Sequence, residues 1–548
     1  MSFYVTTPIY YVNDRPHIGH CYTTLLADAM TRFQKLRRPA TDRVFFLTGT
    51  DEHADKVVTA AAAHNMTPLQ WSDRNAAEYK AAYEFLNIRY DDFIRTTEDR
   101  HKSKVLEYIR ELQKRGDIYL GDYIGWFDES QEEYLTETAA KEADYKSPVT
   151  GRPLVKRTEK NYFFKLTAYQ QRLLDHIAAN PGFIQPEARK NEVLGRLRDP
   201  VIDIPVSRAV TNDPASQWGI KMPDDPGHRI YVWIDALFNY LTAMDTPDRI
   251  ALWPADVHLI AKDILWFHAV IWPCLLMSLG RPVPKTVYAH SYWVREGKKM
   301  SKSLGNFVSL DVLRAYAEWG PNKDKIPIGV DALRWYLLTQ GPLGANDADF
   351  SHGKFVEVYN ADLANGVGNC ASRVGNMIDK YFGGKVPDHG GHLRHEVTEA
   401  DGVHRVFDWP VFTADVVRDA LTALRHNDLS KALSHGIDMI RQVDIFINAT
   451  RPFAMAKLVE KGEASREGLA QILYQCAEAV RIASVLLAPA LPQKMGALWK
   501  TWGCEPPAGV PLEEVARFAG PHGLKPGQSV GKGEILFMRA DADAPAPA

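Results

Sequence analysis

The first fifty residues alternate between two periodicities. FYVTTPIYYV (Phe3 to Val12) is almost unbroken in apolar and β-forming residues, the pattern of a strand buried on both faces. Asn13-Asp14-Arg15-Pro16 reads as a turn, and Pro16 biases Arg15 away from helical geometry, so a helix can begin only after it. From Ile18 onward, Leu26, Met30 and Phe33 recur at helical spacing. RVFFLTGTDEH (Arg43 to His53) is a second short apolar run ending in Gly and Asp. Strand, helix and strand at this spacing predict an α/β class fold, a doubly wound parallel sheet of the Rossmann kind.

Between about 117 and 220 the pattern changes. GDYIGWFDESQEEYL and YKSPVTGRPLVKRTEKNYFF are rich in aromatics, turn residues and charge with little helical period. This predicts a β-rich connective insert interrupting the sheet. The α/β pattern resumes in HRIYVWIDALFNYL and VHLIAKDILWFHAVIWPCLL, and beyond about 355 helical spacing dominates. In LAQILYQCAEAVRIASVLLA, Leu469, Leu473, Cys476, Val480 and Leu487 mark a helix face, with Ser465 placed to cap it. The expected organisation is an α/β domain in two halves, 1–116 and 221–296, around the insert at 117–220. A loop region at 297–355 and a helical bundle at 356–548 follow, and the final DADAPAPA is expected to fray.

Composition narrows the function. The 548 residues are 45% hydrophobic and 24% charged with a net charge of −3, so any nucleic acid must be met by local patches rather than a global basic field. The five cysteines form no C-x-x-C pair, which speaks against a disulfide framework or a cysteine-built zinc site. The N-terminus has no basic region ahead of an apolar run, and no stretch approaches the ~20 apolar residues that span a bilayer. A cytoplasmic protein without membrane contact is the expectation.

Two stretches carry chemistry. RPHIGHCY places His17 and His20 at a helix entrance, where free backbone N–H groups and the helix dipole favour a phosphate. Gly19 between them removes a side chain. EGKKMSKSLGN (Glu296 to Asn306) is lysine- and serine-rich and glycine-flanked. Taken singly, the first reads as surface histidines and the second as a solvated charge run. In this order on an interrupted α/β pattern, they suit a polyphosphate site with a mobile cationic clamp.

Here the chain resembles the class I aminoacyl-tRNA synthetases, whose two motifs stand unaltered as HIGH at His17–His20 and KMSKS at Lys299–Ser303. The likeness continues through DALRWYLLTQGPLGANDADFS and YNADLANGVGNCASR. Within the class the chain is most similar to the methionyl branch, on PIYYVNDRPHIGH, LTGTDEHADK, YVWIDALFNYL and AKDILWFHAVIWP. The resemblance implies methionine activation by ATP with Mg²⁺, followed by acyl transfer to the 3′-terminal ribose of tRNA(Met). It assigns the reaction to His17, His20, Lys299 and Lys302, and ATP contacts also to Gly19, Asp263, His290, Trp293 and Ser301. For methionine it implies Asp51 at the α-ammonium, and Ile9, Tyr11, Trp233, Ala236, Leu237, Tyr240, Ile264 and His268 around the side chain. Aromatic edges attract a thioether, and Tyr and His tips can add a weak hydrogen bond to its sulfur.

At the helical end the family pattern N-x-x-x-R is met by Asn369 and Arg373, four apart on one helix face, for anticodon contact. Phe453 follows Pro452 where relatives carry a tryptophan, which leaves a smaller stacking face. Arg189, Lys190, Arg196 and Arg198 suit either the acceptor stem or plain solvated surface. SPVTGRP (Ser147 to Pro153) has serine where relatives place a zinc-binding cysteine, so no structural zinc is expected. A monomer is expected too. The rival class is a non-catalytic tRNA-binding paralogue, which has no physical need for intact HIGH and KMSKS.

Overall fold

The computed structural model describes residues 2–128, 133–135, 137–295, 297–300, 306–322, 324–398, 402–531 and 533–547. Six strands form the central sheet: β1 (Ser2–Tyr11), β2 (Arg43–Asp51), β3 (Asp92–Arg95), β4 (Ile184–Gln185), β5 (Val257–Ala261) and β6 (Val287–His290). Their order is β3-β2-β1-β5-β6-β4, and every neighbouring pair is parallel. The chain moves outward in opposite directions from the β1/β5 pair. That is the reversal point beside whose carboxyl ends such sheets bind ligands.

The β1–β2 ladder is continuous from Ser2 to Thr6, shifts register, and resumes at Ile9. The break falls on Thr7-Pro8, where proline brings no N–H to the ladder. Beyond it Ile9 and Tyr11 are only half-buried while Tyr10 stays in the core. α1 (Ile18–Leu36) is buried nearly all round, from Cys21 to Met30 without a break. It packs on β1, β2 and β5, and against α2 (Val330–Gln340). A helix apolar on every side has to be covered on every side. α2 and the helical region supply that cover.

Two features depart from the sequence expectation. Within 117–220, the antiparallel insert uses Ile118–Asp128, Glu133–Leu135, Val155–Phe164 and Ile204–Pro205, but β4 at Ile184–Gln185 pairs with Val287 and Tyr288 of the main sheet. Two residues of strand are too short to show a periodicity. The terminal tail is also docked. The Tyr359 hydroxyl donates to Met538 O (2.6 Å), Asn360 brackets the Ala540 backbone in both directions (3.0 and 2.9 Å), and Asp541 N–H reaches Pro321 O (2.7 Å). The side-chain contacts fall on the residues just ahead of DADAPAPA; within it, the main chain of Pro321 meets Asp541 and His352 Nε2–H donates to Ala544 O (2.9 Å).

The bundle contains α3 (Asn369–Phe382), α4 (Leu429–Thr450) and α5 (Arg466–Leu487). Ser465 caps α5, its hydroxyl oxygen accepting from Glu467 N–H (3.1 Å) and Gly468 N–H (3.3 Å). A π-helical stretch, Tyr359–Gly368, leads into α3. The hairpin Arg394–Thr398 with His404–Asp408 is a third departure, set inside a region whose spacing predicts helix. Among the described residues no helix is long and apolar enough to cross a membrane.

Candidate active site

A cavity of about 590 Å³ opens at the β1/β5 reversal. The two histidines at its wall form an unusual helix cap. Gly19 N–H donates to His17 Nδ1 (3.0 Å) and His17 N–H donates to His20 Nδ1 (3.3 Å), a reciprocal capping box built from imidazoles. Each Nδ1 therefore carries its lone pair, and in a neutral ring the single proton sits on Nε2. The protein around these half-buried rings pushes His17 down to about 4 and, with His17 beside it, draws His20 well below the ordinary 6.5. Both rings are thus neutral donors at working pH, each presenting an Nε2–H.

Gly19 has a tighter reason than nucleotide access. A Cβ there would lie 2.9 Å from His17 Cε1 and 3.2 Å from its Nδ1, so any side chain would displace the ring. The backbone donors expected to meet an anion are also differently employed. Ile18 N–H goes to Val308 O (3.1 Å) and Gly19 N–H to His17, which leaves the imidazoles as the donors of this corner.

The Val308 bond matters for the second motif. His17 bridges Ser309, and the His17 and Phe307 rings meet edge-on at 4.9 Å. At the loop's other end Lys299 pairs with Val294, beside Trp293 of the cavity wall. Ser301 and Lys302 lie outside the described residues, as does the side chain of Lys299. The segment following KMSKS is therefore fastened to the HIGH corner across roughly 290 residues of sequence, by main-chain contacts that no motif spelled out.

The other walls come from strand ends. Ile9 and Tyr11 finish β1, Asp51 finishes β2, and Asp263 and Ile264 follow β5, all lining the cavity. Asp51 is 2% exposed. Trp233, Ala236 and Leu237 come from the short helix Val232–Leu237, and Tyr240 and His268 complete this side. Gly19, His290 and Trp293 line the other side with the two motif histidines. Sequence reasoning missed Phe267, which stacks on Trp233 at 4.1 Å and 13°, and it missed Phe307 and Lys56. The signal for Phe267 was its place beside His268 on a five-residue π-helical turn.

One expectation changes here. His268 Nδ1 lies 2.9 Å from Ile264 O, so it carries the proton; Nε2 then accepts from the Tyr240 hydroxyl at 2.7 Å. The Tyr240 proton goes to His268, and His268 has no second N–H for a sulfur atom. Burial takes His268 to about 4, which keeps this arrangement neutral. The pair is a polarizable wall with its polar tips turned on each other.

Five histidines in and around the cavity share that direction. His17, His268 and His290 sit at about 4, and His20 and His258 lie well below the ordinary 6.5. The unfolded chain therefore binds protons that the folded chain refuses between about 6.5 and about 4, so stability falls as pH falls through that window. Each group contributes up to about 1.4 kcal/mol per pH unit there. The urea midpoint should drop steeply from pH 6.5 to pH 5; a flat midpoint would contradict the neutral assignment.

Other candidates lie elsewhere. Arg189 donates to Glu192 (2.8 Å), Ser291 Oγ (3.1 Å) and Ala345 O (2.9 Å), so its guanidinium braces the sheet edge instead of waiting for an acceptor stem. Arg196 stacks on Trp266 at 3.9 Å. Asn369 is exposed on α3, Arg373 of the same helix pairs with Asp444 (2.9 Å), and Phe453 is 45% exposed near the start of Pro452–Glu460. α3 and helix Pro452–Glu460 both pack on α5. Among the described residues there is no group of three or more His, Cys, Asp and Glu placed to hold a metal ion.

Comparison with known proteins agrees with this geometry. The chain matches the family described as tRNA synthetases class I (M) over residues 3–143 and 139–375. The methionine--tRNA ligase of Streptomyces coelicolor is 39% identical over 552 residues, spanning 98% of this chain and 97% of that protein. That of Bacillus subtilis is 39% identical over 99% of this chain and 78% of its own length. The Mycobacterium tuberculosis methionyl-tRNA synthetase in complex with methionyl-adenylate superposes with a TM-score of 0.84 at 34% identity, covering 98% of this chain and 99% of that one. With HIGH capping α1 at the reversal of a doubly wound sheet and relatives of this identity along its whole length, the chain belongs to the class I methionine--tRNA ligases.

Proposed function

We propose that the 590 Å³ cavity holds methionine against the triphosphate of ATP, with the two His Nε2–H donors on the reacting phosphate. The observation that carries this reading is the imidazole capping box, which fixes both proton positions through the helix's own backbone. In the first step a carboxylate oxygen of methionine attacks the α-phosphorus. One O–P bond forms, the bond to the bridging oxygen breaks, and pyrophosphate leaves with that electron pair. Nothing covalent is asked of the protein. Its part is alignment and stabilisation of charge on the phosphate oxygens. Lys302, with Lys299, would neutralise the departing phosphates.

Asp51 at the end of β2 suits the α-ammonium, which holds the carboxylate toward the motif side. Trp233, stacked on Phe267, and Tyr240, turned to His268, wall the side chain. Mg²⁺ would accompany the ATP and neutralise charge on the phosphates rather than occupy a protein cage. In the second step the adenylate passes its acyl group to the terminal ribose hydroxyl of tRNA(Met) and releases AMP. Asn369, Arg373 and Phe453 would read the anticodon, as a monomer in the cytoplasm.

ATP–pyrophosphate exchange across the twenty amino acids tests the reading, with exchange expected for methionine alone. Trp233→Ala should raise the KM for methionine by about tenfold or more and leave that for ATP within about twofold, since it removes a stacked ring from one substrate only. Equal effects on both would place the methionine elsewhere. Absent exchange with tight tRNA binding would mark the paralogue.

A further inference from the structure

Behind the cavity wall lies a buried charged cluster that takes no part in the chemistry above. Asp235 is 1% exposed, and its two oxygens are taken by two histidines: Oδ2 by His53 Nδ1 at 2.6 Å and Oδ1 by His101 Nε2 at 2.8 Å. A carboxylate only accepts, so both imidazoles donate. Burial alone would raise this carboxyl; the imidazoles instead hold it down to about 2, so it is ionised throughout the working range.

The three partners come from separate elements. His53 sits two residues past Asp51, just beyond the end of β2, and His101 lies in the first turn of helix Asp99–Lys114. Asp235 belongs to helix Val232–Leu237, which is six residues long. A helix so short has little stability of its own, so its orientation is set by what grips it. Trp233 and Leu237 are four apart and share its cavity face, whereas Asp235 stands about 200° round the helix from each.

We propose that Asp235, gripped by His53 and His101, is a positioning residue that sets Trp233 and Leu237 against the methionine side chain. The cluster also couples that helix to the Asp51 strand end, so the two ends of the amino acid are gauged against each other. This inference rests on the reading that Trp233 walls the methionine pocket. It predicts that the cluster governs methionine affinity and leaves ATP untouched.

Asp235→Asn keeps the shape but presents an N–H to one of two donors, so one imidazole must turn or lose its bond. The KM for methionine in the exchange reaction should rise about tenfold with the KM for ATP within about twofold, since displacement of a wall by a fraction of an ångström is felt by the substrate it touches. The conservative pair supplies a rescue. An asparagine amide nitrogen occupies the place of Nδ1, and a glutamine amide nitrogen that of Nε2. His53→Asn and His101→Gln should therefore stay near the wild-type methionine KM, while His53→Ala and His101→Ala follow Asp235→Asn. Melting temperatures recorded alongside separate wall position from folding. If Trp233→Ala raises the methionine KM and none of the cluster variants does, the inference fails and the pocket reading stands. If Trp233→Ala moves both KM values alike, the pocket reading fails on its own account. If cluster variants raise both KM values in step with lost melting temperature, or if the Asn and Gln variants behave as the alanines do, the cluster is structural and the inference is overturned.

Discussion

His17→Asn should lower kcat for methionine-dependent exchange by about 10²–10³ while leaving α1 folded, because it separates the two jobs of that imidazole. The side-chain oxygen of asparagine can take the Gly19 N–H that Nδ1 now accepts at 3.0 Å, so the helix keeps its cap. What disappears is the Nε2–H, the one donor the cap leaves over. His17→Ala removes cap and donor together and adds a stability loss of about 1 kcal/mol to the same kinetic loss. Far-ultraviolet circular dichroism and urea unfolding read the first effect, pyrophosphate exchange the second. His17→Asn with wild-type kcat would mean that the imidazole serves the helix and not the phosphate. Gly19→Ala belongs to the same argument. Its Cβ would press on the His17 ring, so it should resemble His17→Asn in rate with the imidazole itself unchanged.

The residue types at this site were readable from sequence, and their proton positions were not. Two histidines around a glycine announce a phosphate corner, but which nitrogen holds the proton depends on backbone N–H groups whose directions only the folded turn defines. The same limit applies to Tyr240 and His268, whose tips read as sulfur ligands and instead bond each other. The doubly wound sheet was legible because β1, α1 and β2 each carry a clear period. β4 was not, since two residues have none and its place is fixed by its partner Val287. The contacts of the tail were illegible for a related reason. DADAPAPA has no period, and the residues that meet it, Pro321 and His352, are about 190 to 220 positions away. The cluster at Asp235 left no motif at all; three common residue types become a unit only through the meeting of three elements.

Arg334→Met should be the most destabilising of the conservative-volume substitutions, by about 3–5 kcal/mol, because it takes the cation from a site where every surrounding group is an acceptor. Arg334 is wholly buried in α2. Nε donates to Ala490 O (3.0 Å), Nη1 to Leu86 O (2.8 Å), and Nη2 to Pro489 O (2.7 Å) and Asp28 Oδ2 (2.8 Å). Asp28 lies on α1, about three turns beyond the His17 cap, and the 489–490 carbonyls follow α5, so one guanidinium joins the helix that begins at the active site to the end of the bundle. Burial draws its pKa down and Asp28 draws it back up. Asp28 retains Arg32 Nε at 2.8 Å and the Arg89 N–H at 2.9 Å, so the loss falls mainly on the three carbonyls, which have no water to turn to. Arg334→Lys restores the charge but not the planar fork, so it should recover only part of the stability. Thermal unfolding should place Arg334→Met lower than wild type by about 3–4 °C, with Arg334→Lys between. A methionine variant as stable as the parent would show that the carbonyls find other donors and that the guanidinium joins nothing.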